Sequence, residues 1–461
     1  MKIAKQKNNV SLYNGHGTQI CYYSGEEIKN TPSNMIYLPL DDVKSFFYKT
    51  DYRLPEFIDF IGSVYEDLET DQNNFKDMIL NIFNEIEETQ AKDNEELFKQ
   101  VKRDKNEPID FNHIKFIIIV SKTLYYDYYF AKKMKSSLES LGHNVNILAE
   151  KGSSKKIINT LKTNYIYNNI LNIKPDVVIF INDFKPELIT EEKYQISIIN
   201  GFIPLLKDIK NKTLREKDII CTQNYYVSDL LKKDNIKNEI IEHASDFKSK
   251  TNNSEPKEDI LLICNNYQDL KGYLILKKMT KKLFKSINKT PLTIKMIKTE
   301  MSKTDYKNEN DSEMLIYLQK NIVLQSCLKW LEHDGIQTKL VGHNWKEFKK
   351  LPKEIKIPKK QSVKKAYKKA KYILHIAPSI IDVNLLDILK NGAIPIIYDL
   401  RDSLESYDKR FDDFCLFYKN KQELNHILQN RIEPKERNAM PILKEYSFDH
   451  LSKDIIKLIS K

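Results

Sequence analysis

Glycine is scarce in this chain, with 11 residues in 461. None of them builds a Gly-x-Gly-x-x-Gly turn or a Walker loop, so the glycine cradles of hydride transfer and ATP hydrolysis have no support. No Asp-x-Asp pair occurs and no His/Cys spacing fits zinc, so no metal site is expected. The five cysteines (Cys21, Cys221, Cys264, Cys327, Cys415) are odd in number, far apart and without a Cys-x-x-Cys pair. That argues against a zinc ribbon and a disulfide framework. Cys221 and Cys264 sit in apolar strand-like runs and read as small buried hydrophobes. Apolar runs are short too: Phe116–Val120 is strand-sized and far below a membrane span. The basic start has no apolar segment behind it, so a signal peptide is not expected and a reducing cytoplasm is the consistent compartment.

What is present is length and lysine. A chain of 461 residues holds two or three domains with real cores. The formal charge of +11 suits nucleic acid, anionic lipid or phosphorylated small molecules. Lysine and asparagine are abundant throughout, as in a chain from an AT-rich genome, and on that background the charge reads mainly as solubility. Residues 346–371 concentrate it, with twelve lysines against two glutamates. The bland reading is a solvated face; the functional one is peripheral contact with anionic lipid or a phosphorylated acceptor. Only Tyr367 interrupts the lysines at 364–371 with an aromatic ring, so single-stranded nucleic acid is not the expected partner.

Residues 1–110 read as an accessory α+β region. Short strand-like pieces come first, then 56–96 carry thirteen acidic side chains against two lysines. Phe75, Ile79, Ile82, Phe83 and Ile86 fall at helical spacing there, which predicts acidic amphipathic helices, or more simply one face packed on the next domain. From 111 to 245 apolar strands alternate with helices, as at 114–121, 127–142, 143–150, 157–172 and 175–183. Such alternation predicts a parallel sheet covered on both faces. Residues 246–258 are polar and read as a linker. A second alternating block fills 259–445, with 295–320 read as a polar surface excursion, and 446–461 is a terminal amphipathic helix able to cross back. The fold class expected is therefore α/β: two Rossmann-like parallel-sheet domains facing a cleft, plus the N-terminal region.

The most informative stretch is 366–399. It predicts a strand at Tyr372–Ile376, a helix opened by Asp382 and closed by Gly392, and a strand at Ile394–Tyr398. In such βαβ units the helix N-terminus lies beside strand ends, where its amides can hold a diphosphate. Asp387 within the helix can accept ribose hydroxyls, or be an ordinary polar face residue. Gly342, His343 and Asn344 follow a strand at its carboxyl end, a ligand position in open sheets or a plain turn. Asn265 and Asn266 end the first strand of this block, and Lys271 opens its helix as a point cation. Asp183, at the carboxyl end of the 175–183 strand, is the candidate general base. Asp127, at a helix start, and His243, at a strand end, are weaker candidates.

Gly342 with Trp345, the run Tyr367–His375, Asp387 with Gly392, and the tail at Tyr446–His450 together resemble GT-B glycosyltransferases, most nearly the CgeB-like group. The motifs lie within 325–450, while the architectural likeness extends over 113–461. Asp387 stands where that group usually has glutamate, and Asn384 where arginine often lies. The resemblance implies a nucleotide-sugar donor held in the C-terminal domain around Gly342 and Asp387; taken with the residue readings above, the expected donor site comprises Asp382, Asn384, Asp387, Gly342, His343, Asn344, Lys271 and Asn266. It implies an acceptor (glycan, lipid-linked glycan or protein) in the N-terminal domain, with no metal and no cofactor. A non-catalytic interaction protein on the same scaffold is the competing expectation, and a nucleotide-sugar hydrolase or epimerase a third.

Overall fold

The computed structural model describes residues 3–6, 9–13, 19–23, 35–39, 76–103, 108–121, 125–150, 156–183, 193–199, 209, 213–223, 225–245, 258–263, 283–287, 292–303, 312–333, 338–341, 355–356, 367–376, 381–401 and 408–460. The chain divides into two compact units, residues 1–198 with 213–219 and residues 199–212 with 220–461.

At the start, β1 (Ile3–Gln6), β2 (Asn9–Tyr13), β3 (Gln19–Tyr23) and β4 (Met35–Pro39) form a four-stranded sheet in chain order. Its first two pairings are antiparallel and its last is parallel. A long helix follows, α1 (Lys76–Arg103). Its acidic side chains face away from a buried stripe of Ile82, Phe83, Ile86 and Val101. Of the acidic stretch 56–96 expected as helices, residues 56–75 lie outside the described residues, and the part from 76 onward is helical and packs on the next sheet.

That sheet comprises β5 (Lys115–Ser121), β6 (Asn144–Glu150), β7 (Val177–Ile181), β8 (Tyr194–Ile199), β9 (Asp218–Thr222) and β10 (Glu239–Ile240). Its order is β10-β9-β8-β7-β5-β6. β5 pairs in parallel with β6 and with β7, β7 with β8, and β10 with β9. Every residue of β7 is buried, as a strand covered on both faces requires. α2 (Tyr125–Ser140) and α3 (Lys156–Ile173) connect the first strands. Val101 of α1 joins Ile166, Tyr167 and Ile170 of α3 against Ile117, Ile119, Val178 and Phe180 of the sheet. Asn94 Nδ2 of α1 donates to the Thr160 carbonyl at 2.9 Å. α4 (Tyr225–Lys233) leads into β10, which stops after two residues. His243, expected at a strand end, therefore lies in irregular backbone three residues beyond that strand.

The third sheet comprises β11 (Glu258–Ile263), β12 (Thr338–Val341), β13 (Ile355–Lys356), β14 (Ala370–His375), β15 (Ile394–Tyr398) and β16 (Leu416–Tyr418). All pairings are parallel, in the order β13-β12-β11-β14-β15-β16. Counted along the chain this is 3-2-1-4-5-6, the doubly wound dinucleotide-fold order, which reverses between β11 and β14. The earlier parallel sheet counts 2-1-3-4-5-6 and reverses between β5 and β7. These orders establish two Rossmann-like parallel sheets, as the alternation predicts.

One face of the third sheet is covered by α5 (Ile294–Met301) and α6 (Ser312–His333). Ile297, Met301, Ile322, Cys327 and Leu331 pack there on Tyr372, Ile394, Ile396 and Tyr398. The polar excursion expected at 295–320 is replaced at both ends by these helices. Thr293 caps the first, its Oγ1 accepting from Met296 N–H at 3.2 Å. The second is buried on several sides, so no single apolar stripe marks it in the sequence. On the opposite face α7 (Val383–Lys390) and α9 (Met440–Glu445) share a core, whereas α8 (Lys421–Gln429) joins the first face through Leu424 and Ile427, and α10 (Phe448–Ile459) follows α9. In that core Leu385, Leu386 and Leu389 meet Ile397, Ile442, Leu443 and Tyr446.

Four non-glycine residues, Lys174, Asn182, Asn235 and Arg431, hold left-handed backbones with φ of 50°, 53°, 58° and 49°. Among the described residues, no helix is long and apolar enough to cross a membrane. Cys221, Cys327 and Cys415 are buried thiols outside any disulfide.

Candidate functional site

Within the second unit, the β14–α7–β15 segment adopts the predicted elements. Asp382 caps α7 from an extended backbone, its Oδ1 accepting from Leu385 N–H at 2.8 Å. Gly392, at φ +73°, closes the turn after the helix, where a Cβ would strain the backbone. The helix start therefore lies at the carboxyl end of β14, beside the sheet's reversal point, where open α/β sheets bind ligands.

Asp387 is half-buried on this helix, and its Oδ1 accepts from Ser245 Oγ at 2.8 Å. Ser245 is itself buried; its N–H donates to the Tyr446 carbonyl at 2.9 Å, and it pairs with Ser447 in a parallel bridge. Tyr446 is fixed in turn by an edge-on contact with Phe411 and by donating its hydroxyl to Asp408 at 3.0 Å. Ser447 caps α10 by accepting from His450 N–H. The tail singled out at Tyr446–His450 is thus the seat on which 241–245 docks. Asn384 is exposed, and its amide donates to Asp382 Oδ2 at 3.3 Å.

Further polar groups gather around Asp382. His375, ending β14, places Nε2 3.4 Å from Asp382 Oδ1. Both ring nitrogens of His243 are shielded from solvent. Burial holds its pKa below the ordinary histidine value, although the Asp382 carboxylate and a backbone interaction with Gln223 act the other way. Tyr367 is 1% exposed, with its ring among Ala370, Ile373, Ile388 and Ala393. Its hydroxyl has no hydrogen-bond partner among the described residues. Burial pushes the phenol's pKa up, and the charges of Asp382 and Asp387 add to that.

The first unit carries its own polar cluster at the carboxyl edge, where β5 and β7 adjoin. Asp127 in the first turn of α2 is 3% exposed, and its Oδ2 accepts from Asn182 Nδ2 at 2.8 Å. Burial raises the Asp127 pKa, partly offset by that hydrogen bond. Asn182 immediately follows β7, donating its N–H to the Ile198 carbonyl at 2.8 Å. Asp183 comes next and is part-exposed. The structure thus joins Asp127 to the residue preceding the predicted base.

Gly342, His343, Asn344, Asn266 and Lys271 lie outside the described residues, as does most of the lysine-rich stretch 346–371. Within that stretch Lys368 and Lys369 are exposed, and Lys371 pairs with Glu433 at 2.8 Å. Among the described residues, no group of three or more His, Cys, Asp or Glu side chains could hold a metal ion. Sequence reasoning overlooks Ser245 and gives Tyr367 no role of its own. The signal for Tyr367 was a lone tyrosine placed among lysines just before a buried strand.

No family model and no curated protein sequence matches the chain. Among solved structures, it is similar to the spinosyn forosaminyltransferase SpnP at 8% identity and a TM-score of 0.37, over 76% of this chain and 100% of that one. The UDP-GlcNAc 2-epimerase of Methanocaldococcus jannaschii is 12% identical with a TM-score of 0.37, over 75% and 99%. Anabaena HepE, determined in complex with UDP, is 9% identical with a TM-score of 0.41, over 75% and 100%. The fold assignment stands on the strand orders above.

Proposed function

We propose that this chain is a metal-independent glycosyltransferase of the GT-B type, near the CgeB-like group, that moves a sugar from a nucleotide-sugar donor to a hydroxyl acceptor. The observation that carries this reading is the capped helix α7, bearing Asp387, at the reversal point of a 3-2-1-4-5-6 sheet. Its first-turn amides suit diphosphate oxygens, and its carboxylates suit ribose hydroxyls. Asn266, Lys271, Gly342, His343 and Asn344 are assigned to the same donor, with Lys271 offsetting charge on the leaving diphosphate.

In this reading Asp183 takes the proton of the acceptor hydroxyl, and Asp127 holds Asn182 so that the strand end is fixed. The acceptor oxygen bonds to the anomeric carbon as the bond from that carbon to the diphosphate oxygen breaks. The nucleoside diphosphate leaves with the electron pair. The acceptor is a glycan, a lipid-linked glycan or a protein. The reading keeps the enzyme in the cytoplasm, with peripheral membrane contact through 346–371; co-sedimentation with anionic against neutral vesicles tests that part.

Thermal-shift titration with UDP-, GDP- and CMP-sugars tests the whole. Stabilisation by one nucleotide, abolished by Asp387→Ala, is expected; no response to any of them would sink the transferase reading. One observation favours the second reading, an interaction protein on the same scaffold: Ser245 already occupies an oxygen of Asp387. Under that reading Asp387→Ala lowers stability and leaves nucleotide response absent.

A further inference from the structure

We infer that Ser245 is a specificity-determining residue of the donor site. By holding Oδ1 of Asp387 it withdraws the two-oxygen grip on ribose, so the site accepts 2′-deoxyribonucleotide sugars as readily as ribonucleotide ones. This rests on the donor-site reading above and adds to it the class of nucleotide.

Ribose presents two neighbouring hydroxyls, and deoxyribose only one of them. A carboxylate tells the two sugars apart when each of its oxygens accepts from one hydroxyl. Asp387 is placed for such a contact. It is part-exposed and follows Asn384 and Val383 by three and four residues, so it lies one helical turn, about 5.4 Å, beyond the α7 start. A nucleotide whose diphosphate rests on the first-turn amides brings its ribose past this carboxylate.

The hydrogen bond that Asp387 already makes changes the outcome. Its Oδ1 accepts from Ser245 Oγ at 2.8 Å. Ser245 is 5% exposed, so the oxygen it holds is turned toward protein rather than toward a ligand. Neither that oxygen nor the serine hydroxyl is then on offer to a second ribose hydroxyl. The serine is also anchored before any nucleotide arrives. Its N–H donates to the Tyr446 carbonyl at 2.9 Å, and it bridges to Ser447. Tyr446 is held in turn by Asp408, at 3.0 Å, and by the ring of Phe411. The shortness of Asp387 completes the effect. Both its oxygens turn together about the Cβ–Cγ bond, and it has one methylene fewer than glutamate with which to reach outward past Ser245.

The test titrates the full chain with UDP, GDP and CMP, each against its 2′-deoxy counterpart. Whichever base binds, its two dissociation constants are expected to agree within about threefold. Ser245→Ala releases Oδ1 to a second hydroxyl, so the ribonucleotide should gain at least about tenfold over its deoxy form. Asp387→Glu, with Ser245 in place, should open a gap in the same direction by reaching past the serine. A purely structural serine would shift both affinities together and leave their ratio unmoved. With nucleotide binding intact, a native preference for ribose beyond about threefold overturns the inference. So does an unmoved ratio in folded Ser245→Ala or, where that variant does not fold, in Asp387→Glu. Failure of every nucleotide to bind overturns the donor-site reading and this inference with it.

Discussion

Ser245 Oγ donates to Asp387 Oδ1 across 2.8 Å although 142 residues separate the two in sequence. A serine hydroxyl offers a carboxylate the same proton that a ribose hydroxyl would. Asp387 is therefore at once a clasp for the 241–245 segment and the residue assigned to the donor.

Removing that clasp has a structural and a binding consequence. Ser245→Ala is expected to destabilise the chain by about 2 kcal/mol, the scale of a buried hydrogen bond to a charged group. Denaturant unfolding measures it. Nucleoside diphosphate affinity should hold or rise, since a competing donor is gone. A fall of about tenfold would make Ser245 a ligand contact instead.

Two buried tyrosines of the second unit should respond oppositely to loss of the hydroxyl. Tyr398 Oη accepts from Leu292 N–H at 2.6 Å. Tyr398→Phe strands a buried amide and should cost about 2 kcal/mol. Tyr367→Phe removes a hydroxyl with no partner among the described residues and should be neutral or stabilising. Parallel melts of the two variants give the comparison.

His143 and His243 make stability fall in mild acid. Burial lowers both below the ordinary value of 6.5, aided at His143 by neighbouring His113 and opposed at His243 by Asp382. The folded chain thus binds fewer protons than the unfolded chain below that pH. The stabilisation is present above pH 6.5 and declines as pH drops toward the lowered folded-state values. His143 Nδ1 also accepts from Ile114 N–H at 3.3 Å, which protonation would forbid. Melting at pH about 7.5, 6.5 and 5.5 should show the decline, and His143→Gln should flatten part of it.

Asp127 has the reverse sign. Its pKa is raised by burial, so the folded chain holds the proton more tightly than the unfolded one. Ionisation therefore costs stability, beginning as pH rises through the ordinary value of 3.8. Asp127→Asn should melt higher at neutral pH, by about 1 kcal/mol in stability, with the gain vanishing in acid. Transferase turnover should drop in the same variant, because Asn182 loses its anionic partner. Unchanged turnover would remove Asp127 and Asn182 from the acceptor site.

Local elements were legible from the residues themselves. Asp382 as cap, Gly392 as stop and the strand Ile394–Tyr398 appear as predicted, because each depends on short-range backbone chemistry. The alternation of apolar strands and helices likewise announced two parallel sheets. What escaped depends on distance or on burial. The α6 start was hidden because a helix apolar on several sides has no single stripe, although Ile294, Ile297 and Met301 already carried a helical spacing in α5. The Ser245–Asp387 and Asp127–Asn182 pairs span 142 and 55 residues, and nothing local in the sequence links them. Tyr367 looked like one aromatic among lysines; only burial turns it into an orphan hydroxyl.

The left-handed backbones of Lys174 and Arg431 acquire a meaning beside the shortage of glycine. Glycine codons are rich in G and C, so the AT bias read above from the abundant lysine and asparagine goes with few of them. Side-chain-bearing residues then occupy turns whose geometry favours glycine, at about 1 kcal/mol or more of strain each. That strain is an untapped reserve: a recoded gene freed from the codon bias, under selection for heat tolerance, should reach Lys174→Gly and Arg431→Gly early.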